Sequence, residues 1–348
     1  MIPILMGLFA LGGTTYGMAE ESLAFYALII PVMMAAGYDA LVGVAIILLG
    51  AGIGTLGSTI NPFATVIASN AAGVPFTNGI ILRAIILGVG WLVCVIYVMR
   101  YAASVRADPH ASLVSDRWNE HREHFLGNRN RGESVAFTAV QKIVLVLFVA
   151  AFGIMIWGVS AGGWWMAEMT ALFLVMSIVV GLVAWMGEEE FTSTFVSGAR
   201  DLLGVALVIG LARGIVVVMD AGKITDTILF WAESSVRGLS KIYFINAMYW
   251  VQVALSFFVP SSSGLAVLSM PIMAPLAEFS GVRPDLAVTA YQSANGLVNL
   301  FNPTFAVVMG GLAIGKIPYN VWLRFVWPLL LILTVLLMVA LSIGTMTQ

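Results

Sequence analysis

The asparagine–proline dipeptides Asn61-Pro62 and Asn302-Pro303 are the residues of this sequence best placed to do chemistry. Each lies in the middle of a long apolar run, where proline removes a backbone donor and interrupts a helix. Such a break frees carbonyl oxygens that can coordinate a cation, and it creates a half-helix N-terminus that can face an anion. Two breaks at corresponding places in two half-chains predict the binding site of a transporter.

Both breaks are surrounded by uncharged polar residues, whose amides and hydroxyls can bind a solute without a permanent charge. Around the first break the candidates are Ser58, Thr59, Asn61 and Pro62, with Gly54 and Gly57 for flexibility. Around the second break they are Asn295, Asn299, Asn302, Pro303 and Thr304, with Gln292, Ser293 and Gly296 nearby. Candidate Na⁺ ligands are Ser58, Asn61, Asn299 and Asn302. The alternative reading is that glycine and serine only permit close helix packing.

Further polar residues lie at two turns between short apolar arms. The first turn contributes Thr14, Thr15, Glu20 and Glu21, and the second contributes Ser261, Ser262 and Ser263. Arms too short for a full crossing, joined by turn residues, predict re-entrant hairpins. Adjacent carboxylates at mid-membrane depth would require a cation, a proton or the ammonium group of an amino acid. If the turn lies in water instead, the acids carry no such meaning.

The composition bounds the class of protein that these residues can serve. The chain is 60% hydrophobic and 10% charged, whereas soluble domains carry roughly 25% charged residues. We therefore expect an all-α polytopic membrane protein that needs no cofactor other than a coupling ion. The sequence has no GxxxxGK[ST] loop, which disfavours an ATP-driven pump. Its three histidines lie in one polar loop rather than in the apolar runs, which disfavours a metalloenzyme.

The order of the elements predicts two repeats, inverted with respect to the membrane. The first repeat, 1–103, contains a hairpin (4–36), a broken helix (40–72) and a helix (79–101). A basic loop at 104–138, read as a solvated connector, is cytoplasmic by the positive-inside rule. The second repeat, 139–348, contains scaffold helices (139–219), a hairpin (243–280), a broken helix (285–312) and a helix (319–345).

Comparison of the two repeats adds two expectations. The second repeat has three spans ahead of its hairpin and the first repeat has none, so we expect about three N-terminal scaffold helices to be missing from this sequence; a naturally short form is the alternative. Arg83 and Arg324 occupy matching positions, and we expect both side chains to reach toward a membrane surface.

The segments GMAEESLAFYALIIPVM, GSTINPF and VPSSSGLAVLSMPIMAPLA resemble the anaerobic four-carbon dicarboxylate carrier family, and within it the YfcC-like branch of amino-acid carriers. The resemblance covers nearly the whole chain. It implies membership of the ion-transporter superfamily, a homodimer, and an elevator motion of the hairpins and broken helices against a scaffold. The hairpin turns lack the Ser-Asn-Thr pattern of that superfamily, which weakens dicarboxylate as the substrate and favours a zwitterionic or cationic amino acid.

The predicted function is secondary active transport of a small organic solute, an amino acid or a dicarboxylate, across the bacterial inner membrane. Na⁺, H⁺ or a counter-solute would supply the driving force. Three alternatives stay open: a channel, an intramembrane enzyme, and an inactive fragment of a longer carrier. A nucleic-acid partner is not expected, because acids are interleaved with the bases of the basic loop. The expected partners are the solute, the lipid bilayer and a second copy of the chain.

Overall fold

A computed structural model describes residues 1–127, 138–162, 164, 166–224, 227, 230, 231, 234 and 238–347. Within 156–220 some residues are described by their backbone alone. The chain divides into two compact units, residues 1–127 with 204–348, and residues 128–203. All regular structure in the described ranges is helical, which confirms the predicted all-α fold.

The described helices are numbered in the order in which they follow along the chain. In chain order they are α1 (Ile2–Thr15), α2 (Tyr26–Ala35), α3 (Ala40–Leu56), α4 (Ile67–Ala71), α5 (Ile80–Ala107), α6 (Trp118–Leu126), α7 (Ala139–Gly162), α8 (Met166–Val183), α9 (Glu188–Ala221), α10 (Lys241–Phe258), α11 (Ser262–Phe279), α12 (Pro284–Val298), α13 (Ala306–Ile314) and α14 (Tyr319–Met346). A 3₁₀ helix at Glu20–Phe25 precedes α2, and a π-helical turn at Pro62–Val66 precedes α4.

The larger unit is built around the two broken helices. Helix α3 ends at Leu56 and the chain resumes as a helix at Pro62, while α12 ends at Val298 and α13 begins at Ala306. Most residues of α3 and nearly all residues of α12 are buried. The interruptions therefore lie in the core, where every freed backbone group needs a partner from elsewhere in the protein.

The smaller unit is a helical pair with an aromatic contact. Helices α7 and α8 pack against each other, and the rings of Phe152 and Phe173 meet edge to face with centroids 5.2 Å apart. By its sequence, the polar stretch GEEEFTSTFVSGARD at 187–201 predicts an interfacial helix, followed by a separate span at 201–219. The structure corrects this expectation: α9 runs unbroken from Glu188 to Ala221. Three acidic residues in its first turn favour a helix start, because they face the positive end of the helix dipole. Arg213 interrupts the apolar run at 201–219, and its side chain lies outside the described residues.

Three described helices are long and apolar enough to cross a membrane by length and composition: α5, α11 and α14. Helix α11 is the second arm of the second hairpin, and with 18 residues it is longer than the short arm expected there. Pro271 and Pro275 lie within it, and proline in a helix interior removes a hydrogen bond and bends the axis. The re-entrant placement of both hairpins stays a prediction.

The basic loop is anchored to the larger unit rather than being only a solvated connector. At the start of α3, Asp39 is buried and caps the helix by accepting from Val42 N at 2.8 Å. Its other carboxylate oxygen accepts from the hydroxyls of Tyr101 and Ser112, each at 2.6 Å. Three donors on one buried carboxylate make a strong anchor, because hydrogen bonds to a charged group are about twice as strong as neutral ones.

A second anchor of this loop involves His121 of α6. Its ring is buried, and its Nε2 lies 3.2 Å from the carbonyl oxygen of Lys316. Burial lowers the pKa of His121 below its ordinary value. The ammonium group of Lys316 pairs with Glu120 at 3.6 Å. Residues 108–126, the anchored segment, thus connect α5 to the turn before α14. Among the described residues, no group of three histidine, cysteine or acidic side chains could hold a metal ion.

Candidate functional site

The first break is capped by the asparagine of its Asn-Pro dipeptide. Asn61 Oδ1 accepts hydrogen bonds from the backbone N–H groups of Phe63 at 2.8 Å and Ala64 at 3.2 Å. Asparagine at the cap position followed by proline is a favoured helix start, since the side chain satisfies free donors and proline has none to satisfy. The dipeptide therefore starts the second half of the broken helix, five residues after α3 has ended at Leu56.

The first hairpin closes against this break. Thr14 Oγ1 accepts from Thr59 N at 2.9 Å, and the carbonyl oxygen of Thr14 accepts from Ile60 N at 3.3 Å. Next to Thr14, Gly17 has φ +78°, and a Cβ at this position would lie 2.6 Å from Asn61 Oδ1. Only glycine fits both constraints, because the left-handed conformation and the close approach each exclude a side chain. The tip of the hairpin is thereby held on the Asn-Pro cap.

The hydrogen bonds of Thr15 and Glu21, two other candidates of the first turn, are local. Thr15 donates its hydroxyl proton to Leu11 O at 2.6 Å within its own helix. Glu21 Oε2 accepts from Ala19 N at 3.1 Å and so stabilises the turn, while Glu20 is exposed. Among the four residues predicted at this turn, Thr14 makes the hydrogen bonds to the first break that are described above.

Gln292 of α12 joins the two broken helices. Its Nε2 donates to the carbonyl oxygen of Ser58 at 2.7 Å and to that of Leu56 at 3.4 Å, two groups at the first break. Its Oε1 accepts from the hydroxyl of Thr65 just beyond that break. Ser293 also donates to Leu56 O, at 3.4 Å. Carbonyl groups at the first break are thus satisfied by side chains of α12.

The second break uses its asparagine differently. Asn302 Oδ1 accepts from the backbone N–H of Thr304 at 3.0 Å and from its hydroxyl at 2.9 Å. Its Nδ2 donates to Phe257 O at 3.1 Å and Ser256 O at 3.4 Å. These two carbonyls belong to the last turn of α10, where no partner within that helix is left for them. Asn302 therefore ties the second break to the first arm of its own hairpin.

Asn295 connects the second hairpin turn with the same break. Its Oδ1 accepts from Ser262 Oγ at 2.7 Å and from Asn299 Nδ2 at 3.1 Å. The hydroxyl of Tyr291, one turn earlier on α12, donates to the carbonyl oxygen of Ser262. Ser261 caps α11 by accepting from Gly264 N at 3.1 Å. Ser263, in the first turn of α11, is half-buried.

Each hairpin also packs on the second half of the opposite broken helix. The 3₁₀ helix of the first hairpin contacts α13, where the Tyr26 side chain lies against Gly311. Helix α11 of the second hairpin contacts α4 and the π-helical turn before it. The two hairpins and two breaks consequently form one cluster within the larger unit, which we call the paired-break site.

The four predicted Na⁺ ligands differ in what their oxygens already bind. Ser58 Oγ lies 2.9 Å from Thr65 Oγ1 and accepts from Asn61 N at 3.2 Å. Asn61 Oδ1 and Asn302 Oδ1 each accept two donors of the chain. Asn299 Oδ1 is buried and has no hydrogen-bond partner among the residues that the structure describes. Because a buried acceptor without a donor is costly, this oxygen fits a cation or an N–H group of a ligand.

Some residues of the site were outside the predicted set, and one glycine has a packing role. Thr65, Ser256 and Tyr291 are read from sequence as ordinary members of apolar helices, and no local signal marks them. Gly54 packs its backbone directly on Ala10 of α1, so that close packing accounts for this glycine without a binding role.

Long apolar helices, three of which could each cross a membrane by length and composition, indicate a helical membrane protein, and its class is that of the transporters. The chain belongs to the DcuC family, since residues 1–346 match the family model described as C4-dicarboxylate anaerobic carrier. This family consists of carriers rather than enzymes.

Two curated relatives are similar over most of the chain. A Haemophilus influenzae protein of uncharacterized function is 44% identical over 340 residues, which are 97% of this chain and 67% of the relative. An Escherichia coli protein named "Putative basic amino acid antiporter YfcC" is 33% identical over 336 residues, 93% of this chain and 65% of the relative. The chain thus spans about two thirds of the length of each relative.

Two solved transporters resemble the structure distantly. Neisseria gonorrhoeae MtrF, whose structure is presented as that of an antimetabolite efflux pump, gives a TM-score of 0.49 at 15% identity, over 98% of this chain and 74% of MtrF. The Alcanivorax borkumensis YdaH transporter gives a TM-score of 0.44 at 13% identity, over 98% of this chain and 82% of YdaH. At these scores the likeness carries no argument about substrate or mechanism.

Proposed function

We propose that this protein works in secondary active transport of a small organic solute across the bacterial inner membrane, and that the paired-break site binds the solute. The observation that carries the proposal is the convergence of both breaks and both hairpin turns on one buried network of amides and hydroxyls. A neutral polar site of this kind can bind and release a solute, because it makes hydrogen bonds without a fixed charge to neutralise. Coupling to Na⁺ or H⁺, or exchange against a second solute, would supply the driving force.

An amino acid is the solute class that we favour over a dicarboxylate. Asn299 Oδ1 is an acceptor awaiting a donor, and an ammonium group supplies such a donor whereas a carboxylate does not. Glu20 and Glu21 add negative charge at the tip of the first hairpin. The name of YfcC, a relative at 33% identity, points to basic amino acids.

The hydrogen bonds of the site also support an elevator motion, in which the breaks and hairpins move together. Gln292 joins α12 to the first break, and the hairpins pack across the repeats. A cluster held together in this way moves as one body more easily than as two halves, because separating the halves would expose unsatisfied carbonyls. A homodimer, as the family resemblance implies, would supply a fixed partner for this motion.

Counterflow in proteoliposomes tests the proposal. Vesicles loaded with unlabelled lysine, leucine or succinate are placed in labelled solute, with and without Na⁺ and with and without a pH gradient. We expect saturable uptake that is accelerated by an amino acid inside the vesicle. Uptake that neither saturates nor responds to internal solute would indicate a channel instead.

Variants of the two dipeptides assign the site. Asn61→Ala removes the cap at the first break, and Asn302→Ala removes the hydrogen bonds between the second break and α10. We expect both variants to reduce uptake while insertion into the membrane is unchanged. Asn70→Ala is the matched control, because Asn70 is exposed at the end of α4. Normal uptake by both site variants would refute the assignment, even if transport itself were established.

A further inference from the structure

Helix α10 carries four polar side chains that follow one another along its length: Asn246, Tyr249, Gln252 and Ser256. Because residues three or four apart in a helix are neighbours on its surface, these side chains form a continuous row, which we call the α10 row. At the rise of an α-helix the row extends over about 15 Å. Tyr249, Gln252 and Ser256 are fully buried, and the Tyr249 hydroxyl interacts with Thr334 of α14. Polar groups buried in an apolar helix are costly unless they have partners.

Two amide oxygens of the α10 row have no such partner. Asn246 Oδ1 and Gln252 Oε1 are buried atoms without a hydrogen bond among the described residues. The nitrogens of the same amides are in use, since Asn246 Nδ2 donates to Ser342 Oγ at 2.9 Å and Gln252 Nε2 donates to Ser269 Oγ at 3.3 Å. The atoms left over are therefore acceptors, and a buried acceptor without a donor suits an ion or a water molecule.

The inner end of the α10 row reaches the paired-break site. Ser256, one turn after Gln252, accepts at its Oγ from Asn295 Nδ2 at 3.5 Å. Asn295 Oδ1 accepts in turn from Asn299 Nδ2 at 3.1 Å. Two side chains, Ser256 and Asn295, thus lie between the free oxygen of Gln252 and the free oxygen of Asn299. The unpartnered acceptors of the row continue into the site.

The outer end of the α10 row lies near an exposed part of the protein. Asn246 is in the second turn of α10 and is half-buried. Just before it, Ile242 is 37% exposed and Tyr243 is 73% exposed. Its partner Ser342 lies close to the end of α14. An ion can consequently enter the row where α10 begins and α14 ends.

The chemistry of the row selects a monovalent metal cation. Amide and hydroxyl oxygens coordinate a cation through their lone pairs. A divalent ion is normally held with the help of carboxylates, and none of the four side chains carries one. A proton would need a group that titrates near neutral pH, which amides and hydroxyls do not provide. Neutral oxygens at successive positions also bind weakly enough for an ion to move on.

We propose that the α10 row binds Na⁺ as the coupling ion and conducts it from Asn246 past Gln252 to Asn299. As the assignment of a coupling ion, this inference rests on the proposed transport function. Of the four Na⁺ ligands expected from the sequence, Asn299 keeps this role, and the amide oxygens of Asn246 and Gln252 are additional ligands. The ion therefore enters along the first arm of the second hairpin.

Binding of radioactive Na⁺ to the purified protein, with no organic solute present, tests the row without reference to transport. We expect saturable binding that unlabelled Na⁺ displaces and choline does not. The absence of saturable binding would overturn the proposal. Uptake into proteoliposomes separates the two proposals. Solute accumulation that follows a pH gradient and ignores Na⁺ would leave transport standing and refute the Na⁺ row. Bound Na⁺ without uptake of any tested solute would support the row and count against the transport function.

Variants of Gln252 locate the ion. Gln252→Leu should weaken Na⁺ binding about tenfold, as expected for a lost contact to a charged group. The free energy of unfolding should change little, because Oε1 has no hydrogen bond to lose. Gln252→Glu keeps an acceptor oxygen in either protonation state and should retain binding. Gln141→Leu, at an exposed glutamine of the smaller unit, is the matched control and should leave the affinity for Na⁺ unchanged. Equal losses of affinity in the Leu and Glu variants at position 252 would overturn the proposal.

Discussion

Replacing Gln292 with leucine should weaken both the fold and the site, because this side chain joins α12 to the first break. Leucine has a similar volume, so the main loss is hydrogen bonding. Ser58 O loses its donor at 2.7 Å and keeps only Thr65 Oγ1 at 3.5 Å. Leu56 O still accepts from Ser293. One buried carbonyl is thus left nearly unsatisfied.

The expected cost follows from that single group. A buried acceptor without a partner costs about 1–3 kcal/mol, so we expect a loss of about 2 kcal/mol in the free energy of unfolding. That loss changes the unfolding equilibrium by roughly 30-fold. Denaturant titration of the purified protein, followed by tryptophan fluorescence, measures the stability. Counterflow measures the effect on uptake, which we expect to fall further than the stability alone would explain.

Gln252→Leu is the matched control for this experiment. Gln252 is equally buried, but its described hydrogen bond goes only to Ser269, at 3.3 Å, and its Oε1 is already unpartnered. Removing it should cost little, since an apolar replacement also removes an unsatisfied oxygen. If Gln252→Leu were the more damaging of the two changes, the argument for Gln292 would be wrong.

Gln292→Glu separates hydrogen bonding from shape. A carboxylate cannot donate to Ser58 O, whereas a protonated carboxyl group can. Burial favours the neutral form of an acid. The deficit in uptake of this variant should therefore shrink as the pH is lowered, relative to the native protein at each pH. A deficit that is constant with pH would show that the donor to Ser58 is unimportant.

The remaining predictions concern the hairpin tip and the anchored segment. Gly17→Ala should reduce uptake strongly, because the new Cβ would meet Asn61. Gly37→Ala is the control, since a Cβ there has only the strain of φ +90° and no atom within 4 Å. Comparable uptake by the two variants would refute the argument from close approach. Asp39→Asn should loosen the anchored segment by about 2–3 kcal/mol, since it replaces a charged acceptor of three donors, and faster trypsin cleavage within that segment measures it. The lowered pKa of His121 means that the folded state binds this proton less readily than the unfolded one. The anchoring should therefore be intact above about pH 6.5 and weaken as the pH falls below it, a dependence that His121→Gln should remove from the cleavage rate.

The sequence indicates the helix breaks well because their causes are local. Proline lacks a donor wherever it lies, and asparagine before it can cap the next helix without help from distant residues. In the structure, Asn61 accordingly caps the turn that begins at Pro62. The continuity of α9 was not predicted, because the polar stretch at 187–201 was interpreted as a boundary before the span at 201–219. Glutamates are favourable in the first turn of a helix, and this stretch instead begins α9.

Tertiary partners could not be read from local patterns. The role of Gln292 depends on carbonyl groups 234 residues earlier in the chain. The expectation that the Arg83 side chain reaches a membrane surface was wrong, because this side chain is buried and lies, with Asp285 of α12, beside Gly79. Asp39 looks like an ordinary helix cap, and its second role needs Tyr101 and Ser112 to approach from a different element. A chain with the same residue types at the same spacing would give the same sequence-based prediction even if its fold made none of these contacts.

The crossed packing of the hairpins has a consequence for how the protein is made. When the first hairpin and first broken helix leave the ribosome, the donor for Ser58 O and the surface that receives Tyr26 have yet to be synthesised. The first half must therefore wait in the membrane with an unclosed break until α12 and α13 arrive. Contacts of such long sequence separation form late in folding. Quality control that recognises exposed polar backbone in the bilayer would thus monitor the nascent chain over most of its synthesis, and release it only when the second asparagine–proline helix has docked.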